Sequence, residues 1–293
     1  MTGSGARFWK MSGAGNDFIV LPAAPESLGE DAAAFVRRVC RRGLDVGADG
    51  VLFVTPGDAA PKDASVKGGS ATRGTHDAVL VHYNADGGRS DFCGNGSRCA
   101  ARFAVLSGFA SWPVRLRTDC GVLLAEPAGG GVRIEVPAPT APAPRRLVVD
   151  GKAHEGFFLT AGVPHFVLRT LDPRAVDVAT LGAALRRHPD LGPAGANVDF
   201  VGPAPEGAGG PWTLRTFERG VEAETLACGS GAIAAAAVLA RDEVRSPIRV
   251  RPTSGIDLQV DFESGAEGPR AFHLTGEARV VYEGVLASDR GSS

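Results

Sequence analysis

The chain has 293 residues, 44% of them hydrophobic and 22% charged. This balance is typical of a soluble globular protein with one large domain or two of ordinary size. A net charge of −2 supplies no basic surface, so nucleic acid and anionic membranes are not expected as partners. No apolar signal segment opens the chain, and the odd count of five cysteines favours reduced thiols, so we expect a cytoplasmic protein.

The first part of the chain alternates strand-like and helix-like segments. Residues 8–21 predict a strand, a glycine-rich turn and a second strand. A helix is predicted over 30–42, and strands over 51–54 and 78–83. Residues 56–75 contain almost no large apolar side chain and predict an exposed loop.

Two helices are predicted farther along the chain. The first spans residues 97–106, where Arg98 and Arg102 are four residues apart, so one face is expected to meet water or an acidic partner. The second spans residues 232–241 and is apolar nearly all round, so we expect it to be buried. Strands are predicted over 116–124 and 132–136. The proline-rich residues 137–144 predict a connection, because proline is excluded from central strands and helix interiors.

One nine-residue motif occurs twice. It runs from Cys93 to Ala101 and again from Cys228 to Ala236, an offset of 135 positions, and each copy places a cysteine and two glycines before an alanine-rich helix. Each cysteine should therefore lie at a helix N-terminus, where unpaired N–H groups and the helix dipole favour anions. The same field lowers the pKa of a thiol and favours a reactive thiolate.

A second pair of repeats supports a gene duplication. Residues 18–20 match 166–168 and residues 47–49 match 195–197, both at an offset of 148. The difference of 13 from the cysteine offset is what an insertion in the loop at 57–75 would produce. We predict two similar domains related by a pseudo-twofold axis, with the active site in the cleft between them. Their expected bounds are 1–123, joined by 278–293, and 124–277.

Two thiols on either side of one bound anion suit a particular reaction. Removing the proton of an amino-acid α-carbon and returning one to the opposite face requires a base on one side and an acid on the other. A thiolate and a thiol can exchange these roles, and N–H groups at the helix ends can stabilise the developing negative charge. This chemistry requires neither pyridoxal phosphate nor a metal, so no cofactor is expected.

The chain carries a series of longer motifs: Lys10-Met11-Ser12-Gly13-Ala14-Gly15-Asn16-Asp17-Phe18, Asn84-Ala85-Asp86-Gly87, Cys93-Gly94-Asn95-Gly96-Ser97-Arg98-Cys99, Gly162-Val163-Pro164-His165, Glu218-Arg219-Gly220 and Glu224-Thr225-Leu226-Ala227-Cys228-Gly229-Ser230-Gly231. In sequence and in order, over about Phe8 to Tyr282, they resemble the motifs of the diaminopimelate epimerases. The resemblance implies an α+β protein of two homologous domains, each a curled, barrel-like sheet around a central helix, that forms a homodimer. Its implied reaction converts LL-2,6-diaminopimelate to the meso form for lysine and peptidoglycan synthesis.

The resemblance also implies roles for individual residues. Cys93 and Cys228 would be the acid/base pair, tuned or oriented by His165 and Glu218, and Glu218 would also receive the α-ammonium. The α-carboxylate would bind at the two helix N-termini, formed by Gly94, Asn95, Gly96, Gly229 and Ser230. The distal end of the substrate would be held by Asn16, Asn84, Asn197 and Arg219, with Arg219 as the charge partner of its carboxylate.

The chain departs from the family at positions that usually contact the distal end of the substrate. Val163 stands where the family often has Asn, and Gly50 where it often has Gln. One extra residue lies between Glu218 and Cys228, as in a branch that shares Gly-Val-Pro-His. A racemase of another amino acid such as histidine, or a phenazine-pathway-type isomerase, is therefore the alternative.

Two other readings of the glycines and cysteines are weaker. Residues 229–234 satisfy the looser dinucleotide pattern G-x-G-x-x-A of an NAD-dependent oxidoreductase, but no clear βαβ unit surrounds them. A zinc site is not indicated, because the chain has no Cys-x-x-Cys pair. We expect Cys40, Cys99 and Cys120 to be small buried side chains.

Overall fold

The computed structural model describes residues 5–58, 75–90, 92–205, 207, 209–265 and 268–287. Most of the loop predicted at 56–75 lies outside the described residues. The chain forms two compact units: unit 1 comprises 1–134 and 277–293, and unit 2 comprises 135–276.

Seventeen strands are defined in the described part of the chain. They are β1 Arg7–Gly13, β2 Asn16–Leu21, β3 Gly50–Pro56, β4 Ala78–Asn84, β5 Val114–Thr118, β6 Gly121–Ala128, β7 Gly131–Glu135, β8 Ala143–Val149, β9 Lys152–Ala161, β10 Val163–Arg169, β11 Asn197–Pro203, β12 Trp212–Glu218, β13 Ala223–Thr225, β14 Ile248–Arg251, β15 Leu258–Glu263, β16 Arg270–Gly276 and β17 Arg279–Val285. The α-helices are α1 Ala32–Val39, α2 Gly94–Leu106, α3 Ala183–Arg186 and α4 Gly229–Ala240. Short 3-10 turns at Pro25–Leu28, Pro173–Ala175 and Pro189–Leu191 and a π-helical turn at Val178–Gly182 complete the helical segments.

Unit 1 is a mixed sheet with strand order β17-β1-β2-β3-β4-β5-β6-β7. The β2–β3 and β4–β5 pairs are parallel and the other pairs are antiparallel. Helix α2 connects β4 to β5 and contacts β1 to β5, so the sheet curls around it. Helix α1 packs on the opposite face of the sheet, where Phe35 and Val39 meet Val51 and Phe53.

Unit 2 repeats this strand order and direction in the sheet β8-β9-β10-β11-β12-β14-β15-β16. Its parallel pairs are β10–β11 and β12–β14, and α4 connects β12 to β14. In the described residues, no ladder joins β7 to β17 or β8 to β16, so each sheet is open and is not a closed barrel. The predicted α+β class is confirmed, with curled sheets that are mixed and open.

The two units differ in one long connection. Between β3 and β4 lie residues 57–77, whereas residues 204–211 join β11 to β12 in unit 2, a difference of 13 residues. This is the length difference that the two repeat offsets predict. The insertion therefore falls in the β3–β4 connection.

A capping hydrogen bond fixes the start of α1, and burial stabilises α4. Asp31 accepts a hydrogen bond from the Ala34 N–H and caps α1, which is shorter at both ends than the predicted 30–42. Ten of the twelve residues of α4 are buried, which confirms the prediction of a buried helix. The low polarity of α4 permits this burial, because a helix satisfies its own backbone groups.

Three expectations were wrong. Arg98 is completely buried, so the face of α2 that carries it meets water only farther along, where Arg102 is partly exposed. Residues 116–124 form parts of two strands, β5 and β6, joined by a tight turn. Cys120 lies in that turn and is exposed, because turn side chains point away from the sheet, whereas Cys40 and Cys99 are buried as expected.

Candidate active site

The predicted site residues of unit 1 collect at one edge of its sheet. β2 and β3 are parallel and begin at this edge with Asn16 and Gly50, whereas the antiparallel β4 ends there with Asn84. The N-terminus of α2 lies at the same edge, because Cys93 contacts Asn16. Asn84 is exposed at this edge and Asn16 is half-buried.

Unit 2 builds the same arrangement from its equivalent strands. β11 begins with Asn197, β12 ends with Glu218, and Arg219 follows directly. His165 lies in β10, opposite Asn197 in the parallel pair. Helix α4 begins after Cys228. The predicted catalytic and binding residues therefore form two sets, one on each unit.

Cys93 is the N-cap residue of α2. Its backbone is extended, with φ −143° and ψ 106°, and its Sγ accepts a hydrogen bond from the Gly96 N–H at 3.3 Å. The Sγ also lies 3.9 Å from Asn16 Oδ1, to which a protonated thiol can donate. A cysteine thus takes the place of the usual Ser, Thr, Asp or Asn cap, in contact with the positive end of the helix.

Asn95, in the first turn of α2, is oriented by the buried Arg98. The Arg98 guanidinium donates to Asn95 Oδ1 at 2.8 Å, to the Gly94 carbonyl at 3.4 Å and to the Glu277 carbonyl at 3.4 Å. Asn95 Nδ2 then donates to Asn16 Oδ1 at 3.5 Å. Burial lowers the pKa of Arg98 to about 10, so the guanidinium remains charged at neutral pH.

Asn16 is oriented from its other side by a carboxylate. Its Nδ2 donates to Asp49 Oδ2 at 2.5 Å, which leaves its Oδ1 facing Asn95 and Cys93. Arg42 holds Asp49 in place by donating to its Oδ1 at 2.7 Å and to Asp17 Oδ1 at 2.5 Å. Although burial opposes ionisation of Asp17, its hydrogen bonds with Arg42 and Lys10 outweigh that effect and lower the pKa of this carboxyl.

Cys228 caps α4 in the same way. Its Sγ accepts from the Gly231 N–H at 3.3 Å and lies 3.4 Å from Ser230 Oγ. Burial raises the pKa of this thiol well above its ordinary value, and the negative charges of Glu218 and Asp199 raise it further. Cys228 is therefore a protonated thiol at neutral pH, although the helix N-terminus alone favours a thiolate.

His165 lies in a completely buried polar cluster next to α4. Its Nδ1 is 2.6 Å from Asp199 Oδ2, and the other oxygen of Asp199 accepts from Thr216 Oγ1 at 2.7 Å. Its Nε2 is 3.4 Å from Asn197 Nδ2. With Nδ1 protonated toward the carboxylate, Nε2 accepts from the Asn197 amide, so both ring nitrogens are engaged.

Asn197 also binds the backbone of Arg219. Its Oδ1 accepts from the Arg219 backbone N–H at 2.7 Å. The amide thus connects the His165 ring to the turn that follows β12. The side chain of Arg219 is half-buried, as is that of Glu218.

Sequence reasoning missed three of these positioning groups: Asp49, Arg98 and Asp199. Asp49 could have been found from the repeat, because it is the counterpart of Asn197 at the offset of 148. Asp199 is a carboxylate between the apolar residues Val198 and Phe200, a signal that a buried partner is needed. The position of Arg98 in the helical pattern did not indicate burial, because the same spacing from Arg102 is typical of two solvent-facing arginines.

Two further properties concern the described residues as a whole. None of them form a group of three or more His, Cys, Asp or Glu side chains that could hold a metal ion. Within the same ranges, every helix is too short or too polar to cross a membrane.

The chain is similar over nearly its full length to one protein family. A sequence model of the family described as diaminopimelate epimerase matches residues 8–136 and 157–281. A diaminopimelate epimerase of Aquifex aeolicus is 38% identical, over 96% of this chain and 98% of its own. One of Gemmatimonas aurantiaca is 36% identical, over 96% and 99%.

Solved structures share the fold at low sequence identity. The crystal structure of a probable proline racemase from Agrobacterium radiobacter has a TM-score of 0.69 at 16% identity, over 97% of this chain and 93% of its own. A phenazine biosynthesis protein of the PhzF family from Bacillus anthracis has a TM-score of 0.67 at 12% identity, over 96% and 98%. These structures show a shared fold, and the family match and the two relatives identify the chain as an isomerase that belongs to the diaminopimelate epimerase family.

Proposed function

We propose that this protein interconverts LL- and meso-2,6-diaminopimelate without a cofactor, with Cys93 and Cys228 as its acid/base pair. The observation that carries the proposal is the repeated cap: each cysteine precedes one helix, with its Sγ 3.3 Å from an N–H of the first turn. The choice of substrate rests on the similar proteins that are named diaminopimelate epimerase. We also propose that the two units are homologous domains, which their identical strand order supports.

In this mechanism, the two sulfurs act on opposite faces of one α-carbon. Cys228 starts as a thiol, because burial and the charges of Glu218 and Asp199 raise its pKa. Cys93 removes the α-proton as a thiolate, and Cys228 delivers its proton to the opposite face. After this step the enzyme holds a thiol at Cys93 and a thiolate at Cys228, so the reverse reaction starts with the roles exchanged.

The remaining residues bind and orient the substrate. Negative charge develops toward the α-carboxylate as the proton leaves, and the first-turn N–H groups of the two helices stabilise it: Gly94, Asn95, Gly96, Gly229 and Ser230. Glu218 accepts hydrogen bonds from the α-ammonium, and His165 orients Asn197. The distal amino-carboxylate end contacts Asn16, Asn84, Asn197 and Arg219, where the guanidinium pairs with the carboxylate.

The test is exchange of the α-proton. Purified protein, with reductant and no added cofactor, is incubated with LL-diaminopimelate in deuterated water, and deuterium at the α-carbon is measured together with meso product. We expect both in the wild type, and a loss of at least about 1,000-fold in Cys93→Ala and in Cys228→Ala, in line with removal of an acid or base and its partner. Undiminished turnover in either variant would refute the two-cysteine mechanism.

Oxidation provides an independent test of the same pair. If the two sulfurs meet over one carbon, an oxidant should link them and inactivate the enzyme, and a thiol reductant should restore activity. Cys120→Ser serves as the control, because the exposed Cys120 is the thiol most accessible to unrelated oxidation. Inactivation that persists after reduction would contradict the pairing.

The alternative substrate class is another amino acid acted on by the same two thiols. Gly50 and Val163, where the family often has Gln and Asn, motivate it. The exchange assay over a panel of amino acids, histidine included, separates the two: no exchange with diaminopimelate but exchange with another member would replace the substrate and keep the mechanism. We also propose a cytoplasmic homodimer, to be tested by cell fractionation and light scattering.

A further inference from the structure

A histidine of unit 1 lies close to the candidate site without a role in it. His82 is on the inner face of β4, two residues before Asn84, and is 6% exposed. It lies opposite Leu52 of β3. A Cβ on Gly96, in the first turn of α2, would lie 3.1 Å from a methyl group of Leu52, so this face of the sheet supports the turn capped by Cys93.

Both ring nitrogens of His82 are buried without a partner. Neither Nδ1 nor Nε2 has a hydrogen bond with any described residue. The ring contacts Phe18 edge to face, with ring centroids 5.7 Å apart. Buried polar atoms are nearly always satisfied, so an imidazole with two unsatisfied nitrogens needs a reason.

The equivalent position in unit 2 shows what His82 lacks. The pairs Ala78–Leu116 and Trp212–Val250 align β4 with β12 at an offset of 134, so His82 corresponds to Thr216. Thr216 donates to Asp199, which lies opposite it in the sheet. The residue opposite His82 is Leu52, whose side chain cannot accept or donate a hydrogen bond.

Gly50 makes room for the imidazole at the edge of the sheet. A Cβ at this position would lie 2.8 Å from His82 Nε2 and 2.6 Å from the Tyr83 carbonyl, so no residue with a side chain fits beside this histidine. Gly50 is also paired with Asn84 in the β3–β4 ladder. The ring therefore covers the backbone next to Asn84, at the edge where Asn16 and Cys93 lie.

The protonation state of His82 restricts its possible ligand. Burial lowers the pKa of the imidazole to about 4, so it is neutral at pH 7. A neutral imidazole offers one N–H donor and one acceptor nitrogen. An amino-carboxylate group offers the complement, an ammonium that donates and a carboxylate that accepts.

We infer that His82 is a specificity-determining residue that hydrogen-bonds the distal amino-carboxylate group of the diaminopimelate substrate, beside Asn84 and Gly50. The inference rests on the proposed function. It adds one substrate contact to that function: the imidazole of His82, from the neighbouring strand, fills the space above Gly50. The ligand completes the hydrogen bonding that Leu52 does not provide.

The test compares His82→Leu with His82→Gln. Leucine fills the space without polar atoms, whereas glutamine restores one donor and one acceptor. For loss of a hydrogen bond to a charged group, we expect His82→Leu to raise KM for LL-diaminopimelate roughly 10- to 100-fold with kcat changed by less than about 3-fold. His82→Gln should recover most of that loss.

A matched control separates binding from packing. His76 is also 6% exposed and lies in unit 1, but it has partners of its own in Thr75 and Asp58. His76→Leu is expected to leave KM within about 2-fold of the wild type. Equal KM values in the two leucine variants would overturn the inference.

Imidazole NMR on the wild-type protein gives a second measurement that does not require the leucine variant to fold and uses His82→Gln only to assign the resonances. With 15N-labelled histidine, addition of LL-diaminopimelate should shift the ring resonances that are absent from His82→Gln. Unshifted His82 resonances at saturating substrate would overturn the inference even if the leucine variant failed to fold. Absence of any α-proton exchange in the wild type would instead refute the proposed function, and this inference with it.

Discussion

The N3 glycines of the two cysteine-capped helices should differ sharply in their tolerance of alanine. Gly96 and Gly231 hold the same position, three residues after the cysteine, and each N–H donates to the cap sulfur. A Cβ on Gly96 would lie 3.1 Å from Leu52 Cδ2, the free end of a side chain that can shift by a few tenths of an ångström. A Cβ on Gly231 would lie 2.6 Å from Asp199 Oδ1 and 3.1 Å from Thr216 Oγ1.

The expected change in stability depends on whether the side chain next to each glycine can move away from the added methyl group. Alanine in a helix is favoured over glycine by about 0.5–1 kcal/mol, so Gly96→Ala should be neutral or slightly stabilising. Asp199 cannot retreat, because both of its oxygens are bound, one to His165 at 2.6 Å and one to Thr216 at 2.7 Å. Overpacking costs about 1–3 kcal/mol and breaking one of these buried hydrogen bonds costs a similar amount, so we expect Gly231→Ala to destabilise unit 2 by about 2 kcal/mol.

Hydrogen exchange read by mass spectrometry measures the two units separately, without assuming a single unfolding transition. A loss of about 2 kcal/mol corresponds to roughly 30-fold faster exchange of the protected amides of β11 and β12 in Gly231→Ala. The amides of β3 and β4 in Gly96→Ala should exchange at the wild-type rate or more slowly. Equal protection in the two variants would refute the argument that the bound carboxylate, and not the glycine itself, determines the cost.

Three further perturbations test the electrostatics of the site. Because burial and then the carboxylates raise the pKa of Cys228, Glu218→Gln should lower that pKa, and the midpoint of alkylation by iodoacetamide against pH should fall; an unchanged midpoint would contradict the charge effect. The pKa of Asp17 is depressed in the folded state, so the excess stability of the wild type over Arg42→Met should be complete above the ordinary value of 3.8 and disappear as the pH falls through the lower folded-state pKa; acid titrations of the two proteins that stay parallel would contradict this. Asp49→Ala removes the acceptor that orients the Asn16 amide and, if the proposed function holds, should raise KM roughly 5-fold with kcat nearly unchanged, whereas a loss confined to kcat would argue against a role in binding.

Much of the organisation could be read from local patterns. Both cysteines were expected at helix N-termini, and both are N-caps, because a small cap residue followed by glycines and alanines leaves a helix few other starting points. The repeat offsets gave the 13-residue difference between the two connections, since an insertion changes spacing wherever it folds. The motif order indicated the family, because order along the chain can be compared without knowledge of the fold.

The sequence was less informative about side chains that meet across strands. Arg98 has the helical spacing of a surface arginine, yet its guanidinium is buried against Asn95 and two carbonyls. Cys120 looked like a small core residue, but the turn between β5 and β6 exposes it. Burial at such positions depends on which segments pack nearby, and residue type alone does not specify that.

The sequence by itself determined the repeat, the cysteine-capped helices and the set of residues that the family resemblance names, because these depend on short-range pattern and order along the chain. Only the tertiary structure decided the pairings that tune them. Thr216 faces Asp199 whereas its counterpart His82 faces Leu52, so one polar residue is satisfied within its unit and the other is not. The register of strands distant in sequence sets these contacts, and a shift of one residue would turn every such side chain to the other face of the sheet.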